Sequence, residues 1–152
     1  MIRSFLIGLT AGARALTPLA TVSEAARRHD LPGDGGPSWL GHPVVAALTK
    51  LLAAGELWGD KLKSAPDRIV PAGIAARMVT GSLAGAALAP KGRSALGAVL
   101  GATAAVGAAY VTFHARMAAL RRYGQARTGL IEDALTLAAS QAVVASPRRG
   151  AR

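Results

Sequence analysis

Apolar stretches alternate with short polar connections along the whole chain, and five of these stretches read as membrane-embedded helices. The clearest is residues 94–114, which contains no Asp, Glu, Lys or Arg. At about 1.5 Å of rise per residue, such a tract reaches across a hydrocarbon core of about 30 Å. The other four are interrupted. Residues 5–20 contain Arg14 and Pro18, residues 40–57 contain Lys50 and Glu56, residues 69–89 contain Arg77, and residues 129–145 hold Glu132 and Asp133 near their start. Several fall short of the roughly 20 residues of a straight crossing, which predicts tilted, broken or partly re-entrant segments. The expected fold is all-α: one integral membrane helical bundle over residues 1–152, with about four to five embedded segments and the first one broken at Pro18.

The connections are built from residues that end helices. Pro and Gly cluster in residues 29–37, and residues 63–68 and 89–93 follow the same chemistry. Residues 116–127 are basic and extend the fourth segment toward the headgroups, and residues 147–152 form a basic tail. None of these is long enough for a soluble domain. Any chemistry is expected within the helices or at their ends.

Composition changes the picture in three ways. A net charge of +10 would suit a soluble nucleic-acid binder, but 51% hydrophobic residues arranged in long uncharged tracts argue against one. The expected partners are the lipid bilayer and its anionic headgroups, with a homo-oligomer as a further option. Cysteine is absent, which excludes disulfides, thiol chemistry and Cys-based metal sites. With 18 glycines and 4% aromatic residues, the helices are expected to pack through small side chains. Arg3 and residues 5–9 resemble the start of a signal peptide, yet the apolar core is short and Arg14 spoils the cleavage site, so the segment reads as a retained helix. Basic residues divide almost evenly between the two ends of a five-crossing arrangement, so orientation stays open.

Two constellations stand out. Four Gly-x-x-x-Gly pairs, Gly8/Gly12, Gly55/Gly59, Gly81/Gly85 and Gly97/Gly101, place flat patches on helix faces and predict close helix contact. The second is a set of charges in apolar surroundings. Arg14, Lys50 and Arg77 are matched in number by Glu56, Glu132 and Asp133, and Asp60 and Lys61 follow just beyond. Charges at membrane depth face protein or water and pair, so a neutralised polar layer is expected. Milder readings stand beside this one. Thr128 would cap the last helix with Glu132 and Asp133 in its first turn, Lys50 would snorkel, and Asp60 and Lys61 would be solvated. Arg14, Glu56 and Arg77 resist those readings best. The Pro18 position after Arg14 also suggests a broken helix of the kind that carries ion and substrate sites in transporters, a simple kink being the alternative.

Gly12-Ala13-Arg14 with Pro18, Trp39-Leu40-Gly41-His42-Pro43, Glu56 with Asp60-Lys61, Arg77 with Gly81, and Ile131-Glu132-Asp133 occur in an order that resembles an uncharacterised membrane family, the domain of unknown function 4126. The resemblance covers nearly the whole chain, which looks like a short member. It implies a polytopic bacterial membrane protein of the inner membrane and supplies no established activity.

The leading functional expectation is a small transporter or channel-like protein for an ion or small charged solute. Its polar site would be drawn from Arg14, Glu56, Asp60, Lys61, Arg77, Glu132 and Asp133. The alternative is a structural or assembly protein whose ion pairs fix helix packing and whose basic loops bind anionic lipid or a partner subunit. No enzyme, cofactor or metal is expected: His29, His42 and His114 are far apart in sequence, and no nucleophile has a neighbouring base.

Overall fold

The computed structural model describes residues 1–31, 36–59 and 69–146. Among them are six α-helices, and none of these residues forms a strand: α1 (Ile2–Ala13), α2 (Leu16–Arg27), α3 (Pro43–Gly59), α4 (Pro71–Ala87), α5 (Ser94–Tyr123) and α6 (Gln125–Ala145). A short 3-10 turn, Ser38–Gly41, precedes α3. Asp60, Lys61 and the basic tail 147–152 lie outside the described residues.

The helix boundaries follow from local chemistry. Pro43 and Pro71 open α3 and α4, where a missing backbone donor costs nothing. Gly92 and Gly124 take positive φ, 78° and 79°, at the turns before and after α5. The first apolar stretch is two helices, but the break is not at Pro18. The backbone leaves the helix at Arg14, with φ −136° and ψ 117°, and Pro18 sits in the first turn of α2. A continuous helix would drive the Pro18 ring into the carbonyl of the residue four earlier, which is Arg14. Extending the chain at Arg14 removes that clash and leaves Pro18 where a proline is tolerated.

α1, α4 and α5 form the centre, and small residues decide how. Gly8 lies against Ala104 and Gly12 against Ala108, so α1 and α5 run parallel. Gly81 lies against Ala105 and Gly85 against Gly101, so α4 runs antiparallel to α5. A methyl added at Gly12 would come within 2.5 Å of the Ala108 side chain, and one at Gly97 within 2.6 Å of Ala89. Backbones this close are possible only without side chains between them. Three of the four glycine pairs are used here. Gly55 and Gly59 meet nothing within 4 Å.

α2 packs against α3, α4 and α6, while α6 leans on α1 and α2 and touches α5 only lightly. Both ends of the α1–α2 pair can be placed along α6. Arg14 meets Asp133 at one end, while Arg3 donates to the Ser146 carbonyl and Arg28 shares a cavity with Ser146 at the other. The chain therefore runs in along α1 and returns along α2. Each helix has 12 residues, about 18 Å, and the two form a hairpin with its tip at Arg14 and Ala15.

The interior has two parts. Ile7, Leu19, Val22, Leu40, Leu88, Val143 and Val144 form an apolar cluster, and elsewhere small residues are buried: Ala46, Ala53, Ala104, Ala105 and Ala109, with Thr17, Thr21, Thr80, Thr136 and Ser140. Val44, Leu48, Leu51, Leu52 and Trp58 cover the outside of α3, and Leu96, Val99 and Val111 that of α5. In water, a contiguous apolar surface of this extent marks an interaction site rather than ordinary scatter. α5 is the one described helix that is both long and apolar enough to cross a membrane on length and composition.

Candidate functional site

The hairpin tip gathers most of the expected charges. Arg14 is 1% exposed, and its guanidinium lies 2.5 Å from the Asp133 carboxylate of α6. One residue later the chain restarts as α2, whose first amides have no helical acceptor. The carboxylate of Glu56, from α3, accepts from Ala15 N–H at 2.8 Å and from Leu16 N–H at 2.9 Å. Negative charge at that position also suits the positive end of the α2 dipole.

The end of α1 is treated in the complementary way. Arg77, 6% exposed, donates from Nε to the Gly12 carbonyl at 3.1 Å and from Nη1 to Gly73 at 2.9 Å. The Thr112 hydroxyl, bonded to Ala108 at 2.7 Å, also reaches Gly12 at 3.4 Å. A cation thus meets the negative end of α1 and an anion the positive end of α2. Arg14, Glu56, Arg77 and Asp133 converge on one break in the backbone.

Other expected pairings came out differently. Glu132 bonds Arg116 at 3.1 Å, one step away from the break. Thr128 does not cap α6: its hydroxyl returns to the Gly124 carbonyl at 2.8 Å, and α6 begins at Gln125. Glu132 and Asp133 are therefore well inside the helix, beyond reach of the dipole, and act through side-chain partners. Lys50 pairs with Glu24, at 2.8 Å, rather than within a buried layer.

Glu24 and Arg116 were not singled out by sequence reasoning. Glu24 had a local signal, because Arg27 and Arg28 follow at three and four residues on the same helix face. Arg116 had none; its partner is on another helix. At the polar end of α2, beyond the apolar stretch, Arg27, Lys50 and Arg28 all donate to Glu24 and hold its carboxyl well below the usual carboxylate range.

Cavities flank the hairpin at its two ends. One, of about 560 Å³, lies at the open end between α2 and α6 and is lined by Thr21, Glu24, Arg28, His29 and Gln141. The other, of about 420 Å³, lies by the tip between α5 and α6 and is lined mainly by apolar groups, with Ala13 as its floor. Two buried hydroxyls, Ser4 Oγ and Thr17 Oγ1, have no hydrogen-bond partner among the described residues. No group of three His, Cys, Asp or Glu converges among those residues in the manner of a metal site.

The family model for the domain of unknown function (DUF4126) matches residues 2–151. The chain belongs to this family. No curated protein and no solved structure matches it. For this DUF4126 chain the motifs that carried the resemblance now have places. Gly12-Ala13-Arg14 is the hairpin tip, Glu56 and Arg77 hold its two helix ends, and Asp133 supplies its ion pair while the adjacent Glu132 pairs with Arg116. Trp39 to Gly41 form the 3-10 turn, anchored where the Ser23 hydroxyl donates to the Leu40 carbonyl at 2.6 Å.

Proposed function

We propose that this chain is an integral membrane protein in which α3, α4, α5 and α6 cross the bilayer and the α1–α2 hairpin enters and leaves from one side. Several observations support this. Large apolar side chains cover the outside of α3 and α5, while the contacts of α1 and α4 with α5 are made by glycines and alanines. Only a third of the most apolar window of α5 is buried, whereas the core helix of a water-soluble protein would be mostly buried. Both tryptophans are exposed, Trp39 in the turn before α3 and Trp58 in its last turn, near the two ends of a helix about 26 Å long, as an aromatic belt would require. The family resemblance favours the cytoplasmic membrane of a bacterium.

The hairpin tip is the functional site in this reading, and it handles an ion or small charged solute. The observation that carries the reading is Arg14. It is a charge 1% exposed, at a backbone break held between two helix ends, at the tip of a hairpin that reaches past the middle of a roughly 30 Å core. Broken helices at such depth are tolerated where they are buried in protein or line a polar path, and the second is the arrangement found at transporter sites. In this reading the approach begins at the cavity at the open end of the hairpin, whose wall includes Thr21 and Gln141, about two turns of α2 short of the tip. Ionisable groups that face one another in this setting mark ion and proton pathways.

A structural role has its own support. Glu56 and Arg77 answer both helix ends from within the chain, as a sealed packing device would. One experiment separates the two. The chain contains no cysteine, so single Cys substitutions at Ala13, Ala15 and Thr17 can be probed with membrane-impermeant thiol reagents in liposomes, followed by flux measurements with a panel of small ions. Labelling at Ala15 or Thr17 together with flux supports transport. Unreactive positions with no flux, while residues 29–31 label, would leave the structural role.

A further inference from the structure

The groove beside the hairpin tip has features that the break itself does not use. α5 and α6 part on either side of the Gly124 turn, and the space between them is about 420 Å³, within the range of about 300–1,000 Å³ for small-ligand clefts. Its walls are Ala115, Ala119, Ile131 and Leu135, with Ala13 at the bottom. The Arg116–Glu132 pair and Tyr123 lie at its edge. Beyond that edge the charge is one-sided. Arg121 and Arg122 end α5, Arg127 follows in the first turn of α6, and all three are exposed. The nearby acids are committed, Glu132 to Arg116 and Asp133 to Arg14.

Length sets the depth of this groove. α5 has 30 residues, about 45 Å, against a core of about 30 Å. With its uncharged start in hydrocarbon, the turns from Arg116 to Tyr123 reach the headgroups. The Arg122 guanidinium stacks over the Tyr123 ring, 5.7 Å from its centroid, as suits a side-chain pair at that boundary. Arg121, two residues past Ala119, falls about 200° around α5 from the groove, whereas Arg122 and Arg127 flank its mouth. An apolar slot that opens near two arginines at headgroup depth suits an anionic lipid.

We propose that this groove binds an anionic glycerophospholipid, with one acyl chain between α5 and α6 against Ala13 and its phosphate on Arg122 and Arg127. The proposal rests on the membrane placement above and not on transport. Because the acyl chain contacts the residue next to Arg14, lipid occupancy supports the hairpin tip from the side.

The test is native mass spectrometry of the purified full chain in mild detergent after exposure to equal amounts of phosphatidylglycerol and phosphatidylcholine. The expected result is one retained lipid, with phosphatidylglycerol preferred at least tenfold. Replacing Arg122 and Arg127 together by Gln should abolish the preference, and Arg121→Gln alone should leave it. Ala119→Trp, which fills the groove, should abolish retention, and Ile131→Trp, placed on the exposed wall, serves if the substitution at the half-buried Ala119 does not fold. Equal retention of both lipids by the native chain would overturn the proposal. So would unchanged phosphatidylglycerol retention in a folded tryptophan variant, or a lipid-free dimer, which would assign the groove to a second copy. Flux is not read here, so the lipid site and the transport reading stand or fall separately.

Discussion

Arg14 ends α1 and Asp133 lies inside α6, yet their side chains meet at 2.5 Å with only 2% and 11% of their surfaces exposed. Two charges taken out of water cost several kcal/mol each, and their attraction offsets that cost only when both partners are present. The same pair anchors the hairpin tip to α6. Arg14→Met should therefore destabilise the protein by about 3–5 kcal/mol, and Arg14→Met with Asp133→Leu should recover most of that loss. Thermal unfolding in one detergent, read as a double-mutant cycle, checks this. If the loss in the double variant equals the sum of the two single losses, the pair is not coupled.

Glu56 acts through the backbone. Its two oxygens hold Ala15 and Leu16, so Glu56→Ala should cost about 1.5–3 kcal/mol, the range for hydrogen bonds to a charged group. Gln has one acceptor oxygen instead of two, so Glu56→Gln should fall between. Amide exchange at Ala15 and Leu16 should rise in the same order. Slow exchange in Glu56→Ala would mean that something else holds those amides.

Glycine pairs of identical spacing should respond in opposite ways. Gly12→Ala places a methyl within 2.5 Å of Ala108, an overpacking that costs about 1–3 kcal/mol. Gly55→Ala has open space and should stabilise α3 by up to about 1 kcal/mol through helix propensity. Equal effects of the two changes on the unfolding midpoint would contradict the packing described here.

Acid should weaken the polar end of α2. The Glu24 carboxyl is depressed from its ordinary value of 4.5 by Arg27, Lys50 and Arg28. A carboxylate depressed in the folded state contributes its full stability above the unfolded value and loses it as pH falls toward the folded one. The native chain should thus lose stability progressively below about pH 4.5, and Glu24→Gln should lose less over the same interval. Unfolding midpoints of the two at pH 6 and pH 3 decide it.

His29 takes φ 59°, a left-handed conformation, and closes α2 as its amide bonds Ala26 while that of Asp30 bonds Ala25. Glycine is the usual residue at this cap, since a side chain there costs about 1–2 kcal/mol. His29→Gly is expected to raise the unfolding midpoint, by an increment worth about 1 kcal/mol. A lower midpoint would show that the imidazole contributes more than its backbone strain.

Helices were legible where composition settled the matter locally: residues 94–114 showed an apolar helix by the absence of charge. Their starts were less so, because segments expected from 40, 69 and 129 begin at Pro43, Pro71 and Gln125, where a proline or the positive φ of Gly124 sets the boundary. The importance of Arg14, Glu56 and Arg77 was legible for the same reason, because a charge in an apolar run needs a partner. The partners were not. Counting three cations against three anions suggested pairing within one layer, whereas Arg77 and Glu56 satisfy backbone groups, and Lys50 and Glu132 pair with residues outside that layer.

The sequence by itself determined an all-helical chain, small-residue packing and the residues that had to be satisfied, since these depend on spacing and on the chemistry of single side chains. Only the tertiary structure decided that the first stretch is a hairpin, that Glu56 caps its return helix, and that Gly55 and Gly59 face outward. Each of those depends on which helix lies beside which. Period and composition give a helix its faces, but neighbours are set by backbone approach distances summed over the whole bundle.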